Sequence, residues 1–148
     1  MANSRPRAGQ SRLTRRGSEL SAPPRRQALV PVQDITRAIL ILRGHRVLLD
    51  SELAALYGVE TRVLNQAVRR NAERFPGDFR FQLTPAEAAA SRSQSVTLKP
   101  GRGQNVKFLP YAFTEHGAIM AATVLNNPRA VEMSIYVVRA FVQLREPS

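Results

Sequence analysis

The sequence predicts an α+β fold in which a small β-hairpin and a helix-turn-helix precede a pair of C-terminal helices. The first observation is a pair of short β-prone runs on either side of Gly44. The second is a pair of helical patterns separated by a tight turn at Gly58, and the third is a long helical pattern divided at Asn127-Pro128. With 148 residues, of which 43% are hydrophobic, the chain is long enough for one domain with its own core.

The hairpin is the first predicted element of the folded part. Residues 38–42 and 46–49 are short β-prone runs, and Gly44 lies between them as a turn residue. Asp50 is a preferred N-cap residue, so a helix is predicted over residues 51–57.

The later part of the chain predicts further strands and helices. Thr84 and Glu87 form a capping box with Pro85 at the first helical position, so a short helix is predicted there. The other predicted elements are a strand at residues 79–83, an exposed loop at 91–107, a short strand within 106–113, and helices at 114–125 and from 128 to about 144.

Positive charge is unevenly distributed along the chain. There are 22 Lys and Arg residues against 11 Asp and Glu, which gives a formal net charge of +11. Residues 1–33 hold seven Arg, four Pro and one acid, Glu19, so they predict a disordered basic arm. Residues 34–148 predict the folded domain. The excess of Arg indicates a polyanionic partner, although a GC-rich genome also favours Arg.

Composition excludes several classes of site. The chain has no Cys, which excludes disulfides, thiolate zinc sites and cysteine nucleophiles. Its two His residues have no clustered carboxylates near them in sequence, so neither a metal nor a cofactor is predicted. The longest uncharged apolar run, residues 118–125, is too short to span a bilayer, and a cytoplasmic, nucleoid-associated protein is expected.

The segment around Gly58 predicts the helix-turn-helix. Gly58 tolerates the positive φ that a sharp turn between two packed helices requires, and a second helix is predicted from about Thr61 to Asn71. One face of each helix is apolar, formed by Leu53, Ala54 and Tyr57 in the first and by Leu64, Ala67 and Val68 in the second. The hairpin, or the loop around Arg102, is a candidate wing.

The opposite face of the second helix predicts contact with double-stranded DNA. Arg, Asn and Gln side chains match the edges of guanine and adenine, and here they recur at helical spacing, as Arg62, Asn65, Gln66 and Arg69. These four are the predicted base-reading residues. The predicted phosphate contacts are Thr61, Arg70, Arg102, Lys107 and the N-terminal arm. The alternative is the ordinary solvated face of an amphipathic helix.

Several blocks of sequence resemble the KilA-N-type DNA-binding domain of phage antirepressor-like proteins. They include Glu52-Leu-Ala-Ala-Leu-Tyr-Gly-Val-Glu-Thr61 and residues 42–50, 64–71, 74–84, 92–94, 110–117 and 139–145. The resemblance implies a DNA-binding transcriptional regulator or antirepressor of phage or prophage type. Arg80 and Ala90-Ser91 depart from that family's pattern, and neither departure is expected to touch the helix-turn-helix.

The sequence also bears on three other functions. Glu115 and His116 are adjacent, but neighbouring helical residues point about 100° apart, and no complete set of catalytic groups emerges, so no enzyme is predicted. An RNA-binding surface would need an aromatic stacking platform, and most of the chain's three Tyr and six Phe lie in apolar contexts instead. The third alternative is an interaction module that binds DNA only non-specifically and engages a repressor protein, or a second copy through the helix from about Pro128 to Leu144. The stripe of that helix, Val131, Ile135, Val138 and Val142, is expected to pack as core or to form this dimer contact.

Overall fold

The computed structural model describes residues 29–94 and 108–145 of the chain. The helices and strands lie in the order α1 (Val32–Ala38), β1 (Leu40–Leu42), β2 (His45–Leu49), α2 (Asp50–Tyr57), α3 (Thr61–Arg70), a 3₁₀ turn (Ala72–Arg74), β3 (Arg80–Gln82), α4 (Pro85–Gln94), β4 (Tyr111–Phe113), α5 (Glu115–Leu125) and α6 (Pro128–Arg145). The predicted α+β class and the pair of C-terminal helices are confirmed. Within the described ranges, no helix is long and apolar enough to cross a membrane.

The four strands form an antiparallel sheet in the order β1-β2-β4-β3. The predicted hairpin is confirmed, with Leu40 opposite Val47. Its turn residues, Arg43 and Gly44, both have positive φ (53° and 76°), as a two-residue turn requires when it must match the twist of its strands. The central pair β2–β4 places Leu48 opposite Phe113.

The sheet separates two groups of buried side chains, because successive residues of a strand point to opposite faces. Leu48 and Phe113 point to the larger core, which the helices other than α4 cover. Val47 and Ala112 point the other way, into a smaller core that includes Ala88 of α4. The capping box predicted at the start of α4 is confirmed by reciprocal bonds between Thr84 and Glu87 (2.9 and 3.1 Å).

Helix α1 begins within the predicted arm. No helix is predicted here, because the Arg, Pro and Ser content of residues 1–33 assigns them to the arm. In the structure Ile35 and Ala38 are fully buried one helical turn apart, and the partly buried Leu29 and Val30 pack against the same core. The folded domain therefore includes residues 29–33, and the remainder of the predicted arm lies outside the described residues.

Helix α6 packs against α1, α2 and α5 with a face other than the Val131–Val142 stripe, so the prediction that this stripe packs as core is wrong. The buried residues are Ala130, Met133, Val137, Ala140 and Phe141, while Val131 and Ile135 are 52% and 50% exposed. The β-branched stripe is more apolar than the alanine-containing face, which is why it is predicted as core. Alanine, however, lets helix axes approach closely, and the structure uses that face for packing.

Gly117 lies at a close approach between α5 and the backbone just before β3. Thr114 caps α5 as predicted, and its backbone N–H donates to the carbonyl oxygen of Phe79 (3.0 Å). A Cβ atom added to Gly117 would lie 1.9 Å from that same oxygen. Only glycine lets the first turn of α5 rest against the end of β3.

We expect Gly117→Ala to lower the free energy of unfolding by roughly 2–3 kcal/mol, because backbone would have to move to admit the methyl group. Alanine has a higher helix propensity than glycine, so the same substitution at an uncrowded glycine of a helix would raise the free energy of unfolding instead. Thermal unfolding followed by circular dichroism measures the difference. Gly77→Ala is the control, since its added Cβ would meet nothing within 4 Å. Equal stability of Gly117→Ala and the wild type would contradict the close approach.

Candidate nucleic-acid interface

Helices α2 and α3 are joined by a tight turn at Gly58. Gly58 has a left-handed conformation (φ 75°, ψ 28°), and the N–H of Val59 donates back to the carbonyl oxygen of Ala54 (3.0 Å). Arg129 of α6 packs beside the glycine, and its Nε donates to the carbonyl oxygen of Leu56 (3.1 Å). The turn is thus held both by its own backbone bonds and by a side chain from α6.

The inner face of α3 is anchored in the core. Leu64 and Val68 are completely buried and pack in the same cluster as Tyr57 of α2. The Tyr57 hydroxyl donates to the carbonyl oxygen of Ala118 in α5 (2.8 Å), and burial raises the pKa of this phenol. These contacts fix the position of α3 against α2 and α5.

The outer face of α3 is polar and basic. Arg62, Gln66, Arg69 and Arg70 are exposed, as predicted for the outer face, and Val63 is partly exposed among them. The guanidinium of Arg62 lies 3.0 Å from the Glu60 carboxylate, but both side chains are 71% exposed. Such a surface ion pair is weak and easily exchanged for another anion.

Asn65 differs from the other three predicted base-reading residues. It is half-buried, and its Nδ2 donates to Oδ2 of Asp50 at the start of α2 (2.9 Å). Its Oδ1 is buried and has no hydrogen-bond partner among the described residues, and the same holds for Oγ1 of Thr61, one turn earlier. The predicted single face therefore divides: Arg62, Gln66 and Arg69 face solvent, and Asn65 faces α2.

Asp50 is not the N-cap that the sequence predicts. Leu49 occupies the N-cap position without a side-chain cap bond, and Asp50 is the first residue of α2, only 5% exposed. Besides Asn65, the backbone N–H of Tyr111 in β4 donates to Asp50 Oδ2 (3.3 Å). Burial raises the pKa of the Asp50 carboxyl, against the opposing effect of these bonds.

Arg80 of β3 completes this polar cluster. Its guanidinium stacks over the Tyr111 ring, 3.7 Å from the ring centroid, and its charge interacts with those of Asp50 and Arg69. Burial lowers the pKa of Arg80, and its Nε has no hydrogen-bond partner among the described residues. Its ring contacts lie in β4, while its charge acts on Asp50 of α2 and Arg69 of α3, so this departure is electrostatically coupled to the two helices.

Sequence reasoning missed the role of Arg80 for a physical reason. The residue lies in an alternating strand between two Phe residues, where a polar side chain simply predicts an exposed strand face. Its partners are distant in sequence, and they come together only when β3 pairs with β4. The signal that the sequence offers is the charge of Arg80, because the domains that the chain resembles carry an apolar residue at this position.

The remaining predicted residues fall into two groups. Arg102, Lys107 and residues 1–28 lie outside the described residues. Of the residues weighed for catalysis, Glu115 forms an ion pair with Arg145, and His116 stacks on Phe79 with ring centroids 5.5 Å apart. Within residues 29–94 and 108–145, no group of three or more His, Asp or Glu residues could hold a metal ion.

Comparison with known families identifies one match. Residues 37–124, more than half of the chain, match the model of the ORF6N domain, a phage-associated domain. The resemblance to the KilA-N domain is not confirmed, although the two domains are related in kind. No curated protein and no solved structure matches the chain.

We expect Asp50→Ala to be more destabilising than Asp50→Asn. Alanine removes the acceptor from the Asn65 amide and the Tyr111 N–H, which costs about 1–3 kcal/mol, whereas asparagine keeps one oxygen in place. Urea unfolding of both variants measures the difference. Burial raises the folded-state pKa of Asp50 above its ordinary value of 3.8, so ionisation lowers the wild type's free energy of unfolding as pH rises through that pKa. Asparagine does not ionise, so the stability of Asp50→Asn should rise relative to that of the wild type over the same pH range. An alanine variant as stable as the asparagine variant would contradict the assigned bonds.

Proposed function

The chain belongs to the ORF6N domain family, and from this membership and the outer face of α3 we propose that it is a sequence-specific double-stranded DNA-binding protein. The family match supports a regulatory or antirepressor-like protein of phage type. In the proposal, α2 and α3 act as a helix-turn-helix, α3 enters the major groove, and the protein works in the cytoplasm at the nucleoid.

The observation that carries the proposal is the division of α3 into an anchored face and a cationic face. The helix contains three Arg and no acidic residue, and all three Arg side chains are exposed. Leu64 and Val68 fix the helix in the core, so the exposed side chains project from a rigid support. The major groove is wide enough for one α-helix, and Arg and Gln match guanine and adenine edges.

The exposed side chains have separate roles in this proposal. Arg62, Gln66 and Arg69 read base edges, and Arg70 contacts phosphates together with the exposed Arg74 of the following turn. Thr61 has its hydroxyl buried, so contact with a phosphate would require that side chain to turn outward. Contacts from Arg102, Lys107 and the N-terminal arm remain predictions.

Asn65 has a positioning role in the free protein. Its amide is bonded to Asp50, so direct reading of adenine would require this bond to break. The Asp50–Asn65 bond instead fixes the rotation of α3 about its own axis, and this rotation sets the direction in which Arg62 and Gln66 point.

A second candidate function is supported by a different surface. The exposed Val131 and Ile135 of α6 suit an interaction module that engages a repressor protein, with a basic surface that binds DNA without sequence preference. The two functions differ in one measurable respect, since only the first requires particular side chains of α3.

We expect the double variant Arg62→Ala/Gln66→Ala to lose sequence preference. Each bidentate contact contributes about 1–3 kcal/mol of discrimination between bases. Selection from a random duplex pool, followed by anisotropy titration of the enriched duplex, measures both preference and affinity. Arg37→Ala is the matched charge control, because Arg37 is exposed on α1 and forms its ion pair with the nearby Asp34. Retention of preference in the double variant, or its equal loss in the control, would contradict base reading by α3.

Deletion of residues 1–28 tests the N-terminal arm separately. The deletion removes seven Arg and one Glu, so we expect weaker binding to every duplex and a shallower dependence of log affinity on log salt concentration. Sequence preference should persist, because the residues that read bases remain. An unchanged salt slope would show that the arm makes no phosphate contacts.

A further inference from the structure

Helix α6 carries a second apolar stripe on the side opposite its packed face. Val131, Ile135, Val138 and Val142 follow one another at intervals of four, three and four residues, which is a heptad spacing. Val131 and Ile135 are half exposed, and Val138 and Val142 are partly covered. Solvated β-branched residues at this spacing are typical of a helix that pairs with another helix.

Two opposite charges accompany the stripe. Glu132 and Arg139 are exposed, lie seven residues apart and therefore occupy equivalent positions on the same side of the stripe. Neither forms an ion pair within residues 29–94 and 108–145. Arg139 lies only loosely over the Tyr136 ring, 5.7 Å from its centroid.

These charges identify a partner that matches the stripe, namely a second copy in the antiparallel direction. When two copies of α6 run antiparallel, Val131 of one lies beside Val142 of the other, and Ile135 lies beside Val138. Equivalent flanking positions then face each other, so Glu132 of each copy meets Arg139 of the other. In a parallel pair, the same two side chains would face Asn127 and Ser134, and no ion pair would form.

We propose that the protein forms a two-fold symmetric homodimer through antiparallel pairing of α6. The contact is isologous: one surface meets its own copy, and the two-fold axis generates two identical Glu132–Arg139 pairs. A dimer presents α3 twice, which suits a palindromic DNA target. The proposal does not rest on DNA binding, since association is measured without DNA and can fail or succeed independently of it.

The contact is short. From Val131 to Val142 the stripe runs over about three turns, or roughly 17 Å, so we expect a weak dimer with a dissociation constant of ~1–100 µM. The net charge of +11 opposes association at low ionic strength. Measurements therefore belong at about 0.15 M salt or above, where the Debye length is ~8 Å or less.

Sedimentation equilibrium of the full chain over a concentration series tests the proposal. We expect a monomer–dimer equilibrium for the wild type and at least ~10-fold weaker association for Glu132→Arg and for Arg139→Glu, each of which sets like charges against each other. An equimolar mixture of these two variants should recover association, because every facing pair in the mixed dimer is again opposite in sign. The double variant E132R/R139E should also recover it.

Ile135→Lys should abolish association, with Ile41→Lys on β1 as the matched control, since Ile41 is similarly exposed at 59%. Circular dichroism verifies that every variant is folded. A wild type that stays monomeric at several hundred micromolar overturns the proposal, and so does a dimer that the charge reversals leave unchanged. A mixture of the two single variants that associates no better than each variant alone overturns the antiparallel arrangement.

Discussion

The carboxylate of Asp50 lies where three elements of the candidate site meet. Asp50 is the first residue of α2, and its carboxylate accepts one hydrogen bond from Asn65 of α3 and another from the backbone of Tyr111 in β4. Burial of a carboxylate is unfavourable, as the raised pKa of Asp50 indicates. The two hydrogen bonds and the nearby charge of Arg80 offset part of this cost, and the pKa stays raised because burial is the larger effect. The orientation of α3 against α2 and α5 therefore depends on a directional polar contact as well as on apolar packing, which alone would leave its rotation less defined.

The charges of α3 differ in how far helix stability explains them. Arg69 and Arg70 lie in the last turn, where a cation interacts favourably with the helix dipole, so they benefit the free protein. Arg62 is the second residue of the helix, where a cation is unfavourable, and its ion-pair partner among the described residues is the exposed Glu60. Arg62 therefore does not stabilise the start of α3, and a functional role explains this exposed cation better than folding does.

Features that depend on neighbouring residues could be predicted from the sequence. The hairpin turn at Gly44, the turn at Gly58 and the cap at Thr114 each follow from local backbone preferences. The contacts of Asp50 could not be predicted, because Asn65 and Tyr111 lie 15 and 61 residues away. Composition also led to wrong predictions at both ends of the domain. The Arg and Pro content of residues 1–33 predicted no helix where α1 begins, and the packed face of α6 is the one that contains alanines.

In the proposed function, α3 is the element that contacts DNA. NMR chemical-shift mapping of the full chain, with and without a duplex selected from a random pool, shows which residues the duplex perturbs. We predict that the largest changes fall on the exposed residues of Thr61–Arg70, with smaller changes at Asp50, which is bonded to Asn65 of α3, and at Tyr111, whose backbone N–H donates to Asp50. Changes confined to residues 1–28 or to α6, with α3 unaffected, would contradict it.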